Sequence, residues 1–140
     1  AYFAPFTSAG ELHELLSFSN RTLNQNRLIL GGGSNILFTN HFNGLVLKNE
    51  MKGIELVKED DEFVYLRAGA GENWHQFVMY CVNRNWGGVE NLSLIPGNVG
   101  ASPLQNIGAY GAEIKDTVEE VNTFHINDGT LVSFTNANCE

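Results

Sequence analysis

ENLSLIPGNVGASPLQNIGAYG, residues 90–111, carries glycines at Gly97, Gly100, Gly108 and Gly111, two prolines, and no formal charge apart from Glu90. Each interior glycine costs a helix about 1 kcal/mol relative to alanine, so no long uninterrupted helix forms here. Leu92, Leu94, Ile95, Val99, Leu104 and Ile107 are too many apolar residues for a solvated linker. The stretch therefore reads as a shaped loop packed into the body of the protein. A buried loop must satisfy its own backbone polar groups, and Asn91, Ser93, Asn98, Ser102, Gln105 and Asn106 are candidate partners. Two readings stay open at this point: an ordinary loop that crosses a core, or a cradle whose outward N–H groups hold a cofactor.

Upstream, Asn73 is placed to cap a helix running to about Arg84, with Trp74, Phe77, Val78 and Cys81 as a core-facing stripe and Val82 beside it. Asn85-Trp86-Gly87-Gly88 ends that helix and delivers the chain to the loop. Before it, 53–60 (GIELVKED) and 62–71 (EFVYLRAGAG) alternate as an antiparallel pair across Asp60-Asp61. Downstream, 118–126 and 130–134 flank Asn127-Asp128-Gly129, a hairpin signal. The closing TNANCE looks like the start of a helix.

The N-terminal third has a different rhythm. Residues 2–6 (YFAPF) form a short strand, placed by Pro5 at an edge or a strand end. Ser8 and Glu11 make a capping box for a helix over 9–18, which carries Leu12, Leu15, Leu16 and Phe18. RLIL at 27–30 is a buried strand and runs straight into Gly31-Gly32-Gly33-Ser34-Asn35; GLVLK at 44–48 is a third strand. Strand, helix, strand in that order is a small parallel βαβ unit.

Three successive glycines adopt backbone angles closed to other residues, and their N–H groups can converge on an anion such as a diphosphate; a tight hairpin is the plainer alternative. A Rossmann fingerprint fails, because Ile36 stands at the third glycine position and no helix opens at the turn. Glu50 sits near the offset of a Rossmann ribose acid, which without that helix is coincidence. No GK[ST] follows, so this is not a P-loop.

Composition narrows the classes. A chain of 140 residues is one domain by length, with room for two subdomains. The net charge is -8, and Arg21, Arg27, Lys48, Lys52, Lys58, Arg67, Arg84 and Lys115 are scattered, which sets nucleic acid aside as a partner. There is neither a membrane-length apolar run nor a signal peptide, so a soluble cytoplasmic domain is expected. Cys81 and Cys139 lie far apart without CxxC or His spacing, so we expect two free thiols, no zinc, and structural or exposed roles for His13, His41, His75 and His125.

Taken together, GGGSN after a short strand, RAGAGENWHQFV and GGVENLSLIPGNVGASPLQNIGAYGAE resemble the flavin domain of the UDP-N-acetylenolpyruvoylglucosamine reductases, within the flavoproteins of vanillyl-alcohol-oxidase-type FAD fold. The likeness spans nearly the whole chain in order, and the IPG-x-x-G-x-x-P-x-QNIGAYG string is its most specific part. It implies an α+β, two-subdomain FAD-binding fold: a small βαβ unit over about 1–50, then a mostly antiparallel sheet with a helix over about 51–140.

By the same resemblance, Gly31, Gly32, Gly33, Ser34 and Asn35 would contact the FAD diphosphate, with Ile36 and Leu37 alongside. Pro96, Gly97, Gly100, Ala101 and Ser102 would line the dinucleotide on the other side. Gln105, Asn106, Ile107, Gly108, Ala109, Tyr110 and Gly111 would continue that wall towards the flavin ring, Gln105 and Tyr110 either touching FAD or buttressing the loop.

The family moves a hydride from NADPH through FAD to the enolpyruvyl double bond of a UDP-sugar. Its catalytic arginine, serine and glutamate and its substrate domain are expected beyond Glu140, so no catalytic residue and no metal is assigned here. The usual lead-in before the first strand is also missing. The expectation is a domain that binds FAD and does not turn over. The alternatives are the flavin domain of another oxidase or dehydrogenase of this fold, or a binding module that has lost FAD. A covalent flavin link would favour the former, but neither glycine-rich loop holds a histidine or cysteine.

Overall fold

The structure, a computed structural model, describes residues 2–22 and 26–139, with the side chains of 20–22 left aside. Three parallel strands form the first half: β1 (Tyr2–Phe6), β2 (Asn26–Leu30) and β3 (Gly44–Asn49), in the order β1-β3-β2. The last strand in sequence is therefore the central one, with Phe6 opposite Asn49 and Leu30 opposite Lys48. Its residues 44–47 are buried, as a parallel strand flanked on both sides requires; β2, expected to be buried, is instead an edge strand, with Ile29 exposed. Pro5 sits in an edge strand, where its missing N–H breaks no ladder.

Helix α1 (Ala9–Thr22) packs Leu12 and Leu16 onto Phe6, Leu45 and Leu47. It runs four residues past the expected end, through a polar stretch that propensity alone left open. Ser8 caps it, its hydroxyl accepting from the Glu11 N–H at 3.1 Å. The expected return bond is displaced by one residue: the Glu11 carboxylate accepts from the Thr7 N–H at 2.7 Å and from the Thr7 hydroxyl at 2.9 Å.

The second half centres on α2 (Trp74–Val82). Asn73 caps it by accepting from the Gln76 N–H at 3.0 Å. Trp74, Val78 and Cys81 join Val89, Leu92, Ile107 and Ile114 in a core, against which Phe77 is packed. Each fully buried side chain of this kind stabilises the fold by about 1.5–3 kcal/mol relative to exposure. Asn85, at φ 59°, turns the chain out of the helix while the Trp86 N–H reaches back to the Cys81 carbonyl.

The α+β expectation holds with one change. The antiparallel half is not a continuous sheet but three separate two-stranded ladders: β4 (Ile54–Glu59) with β5 (Val64–Ala68), β6 (Gly108–Ala109) with β7 (Ala112–Glu113), and β8 (Glu120–Phe124) with β9 (Leu131–Thr135). The β8–β9 turn is also wider than a two-residue hairpin. His125 and Thr130 close it, and Gly129 takes φ 77°. TNANCE gives a single 3-10 turn at Asn136–Asn138, and Glu140 lies outside the described residues. Phe124 of β8 packs against the first core, with its ring 6.3 Å from that of His13. The hairpin thus ties the C-terminal third back to α1.

Candidate cofactor site

The carboxyl ends of all three parallel strands open onto one cleft, where ligands of open parallel sheets characteristically bind. Thr7 follows β1, Gly32 follows β2, Lys48 and Asn49 end β3 and Glu50 follows it; Lys52, Gly71 and Asn98 complete the lining. The cleft measures about 550 Å³, within the range of small-molecule sites.

The two glycine-rich loops meet at this cleft. A Cβ added at Gly32 would lie 2.9 Å from Asn98 Oδ1 and 3.1 Å from Gly97 Cα, so only glycine lets the backbones approach this closely. Gly97, at φ 126°, would bring a Cβ within 3.3 Å of Ser34 Oγ. Residues 36–43 form no helix, which confirms that the turn is not of Rossmann type.

Their backbones are in opposite states. The N–H groups of Val99, Gly100, Ala101 and Ser102 are all bonded within the protein, to Glu72, Ala70, Asn98 and Val99 carbonyls at 2.9–3.0 Å. Those of Gly32, Gly33, Ser34 and Asn35 make no hydrogen bond among the described residues. The first loop therefore offers donors, and the second offers a rigid wall. Besides the Val99 and Gly100 amides, two further hydrogen bonds hold the wall to the segment between β5 and α2 and to the start of α2: the Trp74 N–H donates to the Gly97 carbonyl at 3.0 Å, and Asn98 Nδ2 donates to the Gly71 carbonyl at 3.2 Å.

The remaining candidates divide by exposure. Ser102 is buried and its hydroxyl donates to the Val99 carbonyl at 2.7 Å, while Ile107 belongs to the α2 core. Both side chains support the loop. Pro96, Gln105, Asn106, Gly108 and Gly111 are exposed, and Ala101 and Ala109 are half-buried. Tyr110 is 90% exposed at φ 53°, and Asn106 stands at φ 40°; Gly111 completes the bend at φ 82°. Such backbone is strained for residues other than glycine and collects at functional segments.

Two of the loop's apolar residues were expected to be packed and are not. Leu94 is 76% exposed, at φ 63°, and Leu104 is 89% exposed; Leu37, in the segment after the first glycine turn, is 87% exposed. Leu92 and Ile107 do the packing instead, and the His75 imidazole accepts the Leu94 N–H at 3.2 Å.

Thr7, Lys48, Asn49, Lys52 and Gly71 were not singled out as site residues from sequence. Thr7, Lys48 and Asn49 lie at or just beyond the ends of parallel strands, and Lys52 and Gly71 sit in the segments that follow β3 and β5, a grouping visible only once the strand order is known. Cys81 and Cys139 are free thiols, and no group of metal-ligating side chains occurs among the described residues. No helix of the described residues is long and apolar enough to cross a membrane.

A strand-end cleft closed by two glycine-rich turns, outside the Rossmann pattern, defines a dinucleotide-binding domain of a second kind. The family model described as "FAD binding domain" matches residues 1–135, and the chain belongs to that family, whose cofactor is FAD. The residues fit such a group: free N–H donors suit a diphosphate, and the missing Cβ atoms of Gly32 and Gly97 let the two loops pack against each other beside the cleft.

Among curated relatives, the chain is 48% identical over 134 residues to the UDP-N-acetylenolpyruvoylglucosamine reductase of Flavobacterium johnsoniae, covering 96% of this chain and 40% of the relative. It is 44% identical over 139 residues to the protein of that name from Amoebophilus asiaticus, covering 99% of this chain and 40% of the relative. The crystal structure of UDP-N-acetylenolpyruvylglucosamine reductase from Thermus caldophilus superimposes with a TM-score of 0.71 at 22% identity, over 96% of this chain and 46% of that one, which supports the fold. The chain thus spans about 40% of the length of the curated relatives it matches.

Proposed function

We propose that this chain is the FAD-binding part of a UDP-N-acetylenolpyruvoylglucosamine reductase, which forms UDP-N-acetylmuramate for peptidoglycan synthesis and so serves cell-wall biogenesis, cell shape and division. The observation that carries the reading is the meeting of two glycine-rich loops at the strand-end cleft, one with four unbonded N–H donors and one saturated. Near-half identity to curated relatives of that name supports the particular enzyme.

In this reading Gly31 to Asn35 hold the diphosphate, with Ile36 and Leu37 beside it. Pro96, Gly97, Gly100, Ala101 and Ser102 form the facing wall. Gln105 to Gly111 extend it towards the flavin ring, with Ile107 acting through the core rather than by contact. Bound FAD supplies hydride transfer between NADPH and the enolpyruvyl group of the UDP-sugar. The chain's own residues bind and orient it: backbone donors fix the phosphates, and exposed Tyr110 offers apolar surface to the ring. The chain divides near residue 50 into two subdomains with FAD between them, Phe124 forming a seam. The enzyme works in the cytoplasm on small-molecule ligands, with neither nucleic acid nor membrane as partner, and proton transfer to substrate comes from residues outside this chain.

Titrating the purified chain with FAD tests the reading. Quenched flavin fluorescence and a perturbed flavin absorption band are expected. Free-flavin spectra at every protein concentration would refute FAD binding, and NADPH-dependent reduction of the UDP-enolpyruvyl sugar by the isolated chain would refute the division of labour.

A further inference from the structure

Two lysines line the cleft, and their settings differ. Lys52 Nζ donates to the Gly71 carbonyl and lies 3.7 Å from Glu72 Oε2, so a carboxylate already matches its charge. Lys48 Nζ donates to the Gly31 carbonyl at 2.6 Å and makes no ion pair among the described residues, although Glu50 lines the same cleft. Lys48 is half-buried at the end of the central strand, opposite Leu30, the residue that leads into the glycine turn. One ammonium proton is engaged by Gly31, and two remain.

We propose that Lys48 is a positioning residue for the diphosphate of the dinucleotide: it pins the Gly31 carbonyl at the root of the donor turn and supplies that turn with an unmatched positive charge. The inference rests on the FAD reading above. A peptide unit is planar, so holding the Gly31 carbonyl fixes the plane that also carries the Gly32 N–H, the first of the four unbonded donors. The triple glycine otherwise leaves that plane free to rotate, and ordering it would oppose binding. A cation beside the turn attracts a phosphate through a field that added salt weakens, so losing it also removes part of the salt dependence of binding.

FAD and riboflavin titrations, followed by fluorescence at low and high salt, separate this role from general damage. Wild type, Lys48→Met and Lys48→Arg are compared after circular dichroism shows the same fold. Lys48→Met should bind FAD about tenfold more weakly, the loss of one charge-assisted contact, with a flatter salt dependence. Lys48→Arg should recover most of the affinity. Riboflavin, which has no phosphate, should bind all three alike. Unchanged FAD affinity and salt dependence in Lys48→Met would overturn the inference while leaving the FAD reading intact, and so would a riboflavin loss equal to the FAD loss. A wild-type protein that binds no FAD overturns both.

Discussion

Gly100 and Ala70 lie so close that a Cβ added to Gly100 would sit 2.6 Å from the Ala70 Cβ and 3.0 Å from its Cα and carbonyl oxygen. Their backbones are also bonded, the Gly100 N–H donating to the Ala70 carbonyl at 2.9 Å. Gly100 thus serves the wall from behind, where the second loop presses against the end of the β4–β5 ladder. Because the clash is with the Ala70 Cβ and backbone, neither of which has a rotamer to change, it can be relieved only by moving the chain. Gly100→Ala should cost about 1–3 kcal/mol of stability, as overpacking does, measured as a lower urea midpoint at unchanged slope.

Trp74 joins the helix to the start of the loop. Its indole Nε1 donates to the Leu92 carbonyl at 2.7 Å, inside the core. Trp74→Phe removes the donor and leaves that carbonyl without it in a buried setting, at a cost of about 1–3 kcal/mol before any cavity is counted. Chemical denaturation should show the loss.

Asn73→Ala removes the α2 cap and should cost about 1 kcal/mol. Asn73→Ser should restore most of it, since serine also accepts from the N3 amide. Thermal melts of the two variants distinguish lost capping from lost bulk.

Asp128 gives the β8–β9 turn an acid-sensitive joint. The Thr130 hydroxyl and N–H and the His125 imidazole hold its carboxyl well below the usual range. A depressed folded pKa means that the contribution is complete above the unfolded value near 3.9 and is lost as pH falls towards the folded one. The Thr130 amide resonance should therefore move only below about pH 4, and Asp128→Asn should abolish that movement.

The thiols should react at very different rates. Burial pushes Cys81 above the ordinary thiol range, whereas Cys139 is exposed. The raised folded pKa means that the stability associated with neutral Cys81 is full below the unfolded value near 8.5 and declines as pH rises through the folded one. A thiol reagent at pH 8 should label Cys139 at once and Cys81 only after denaturant is added.

Periodicity and turn chemistry made most of the framework legible. Trp74, Val78 and Cys81 recur at helical spacing behind an asparagine cap, and the three apolar runs ending at Phe6, Leu30 and Asn49 are the three parallel strands. GGGSN and the 97–111 glycines marked the two loops because only glycine chemistry explains so many in so few positions. What stayed hidden depends on contacts distant in sequence. Lys48 is one of eight scattered cations until β3 is seen to lie between β1 and β2. Leu94 and Leu104 have the hydropathy of core residues, and only backbone direction turns them outward while Leu92 and Ile107 turn in. Glu11 reaches Thr7 rather than closing the box on Ser8, a displacement of a single residue that spacing cannot resolve.

The contrast between a saturated wall and an unsaturated turn has a consequence for how binding strength can vary. Residues 99–102 are already ordered by their own hydrogen bonds, so a ligand gains their shape without an added entropic cost. At the proposed site, ordering on binding falls on residues 32–35, whose N–H groups carry no hydrogen bond among the described residues. Substitutions at Gly33, Ser34 or Asn35 should therefore tune affinity while the opposite wall keeps its shape, whereas a side chain at Gly32 would press on Asn98 and Gly97 of that wall.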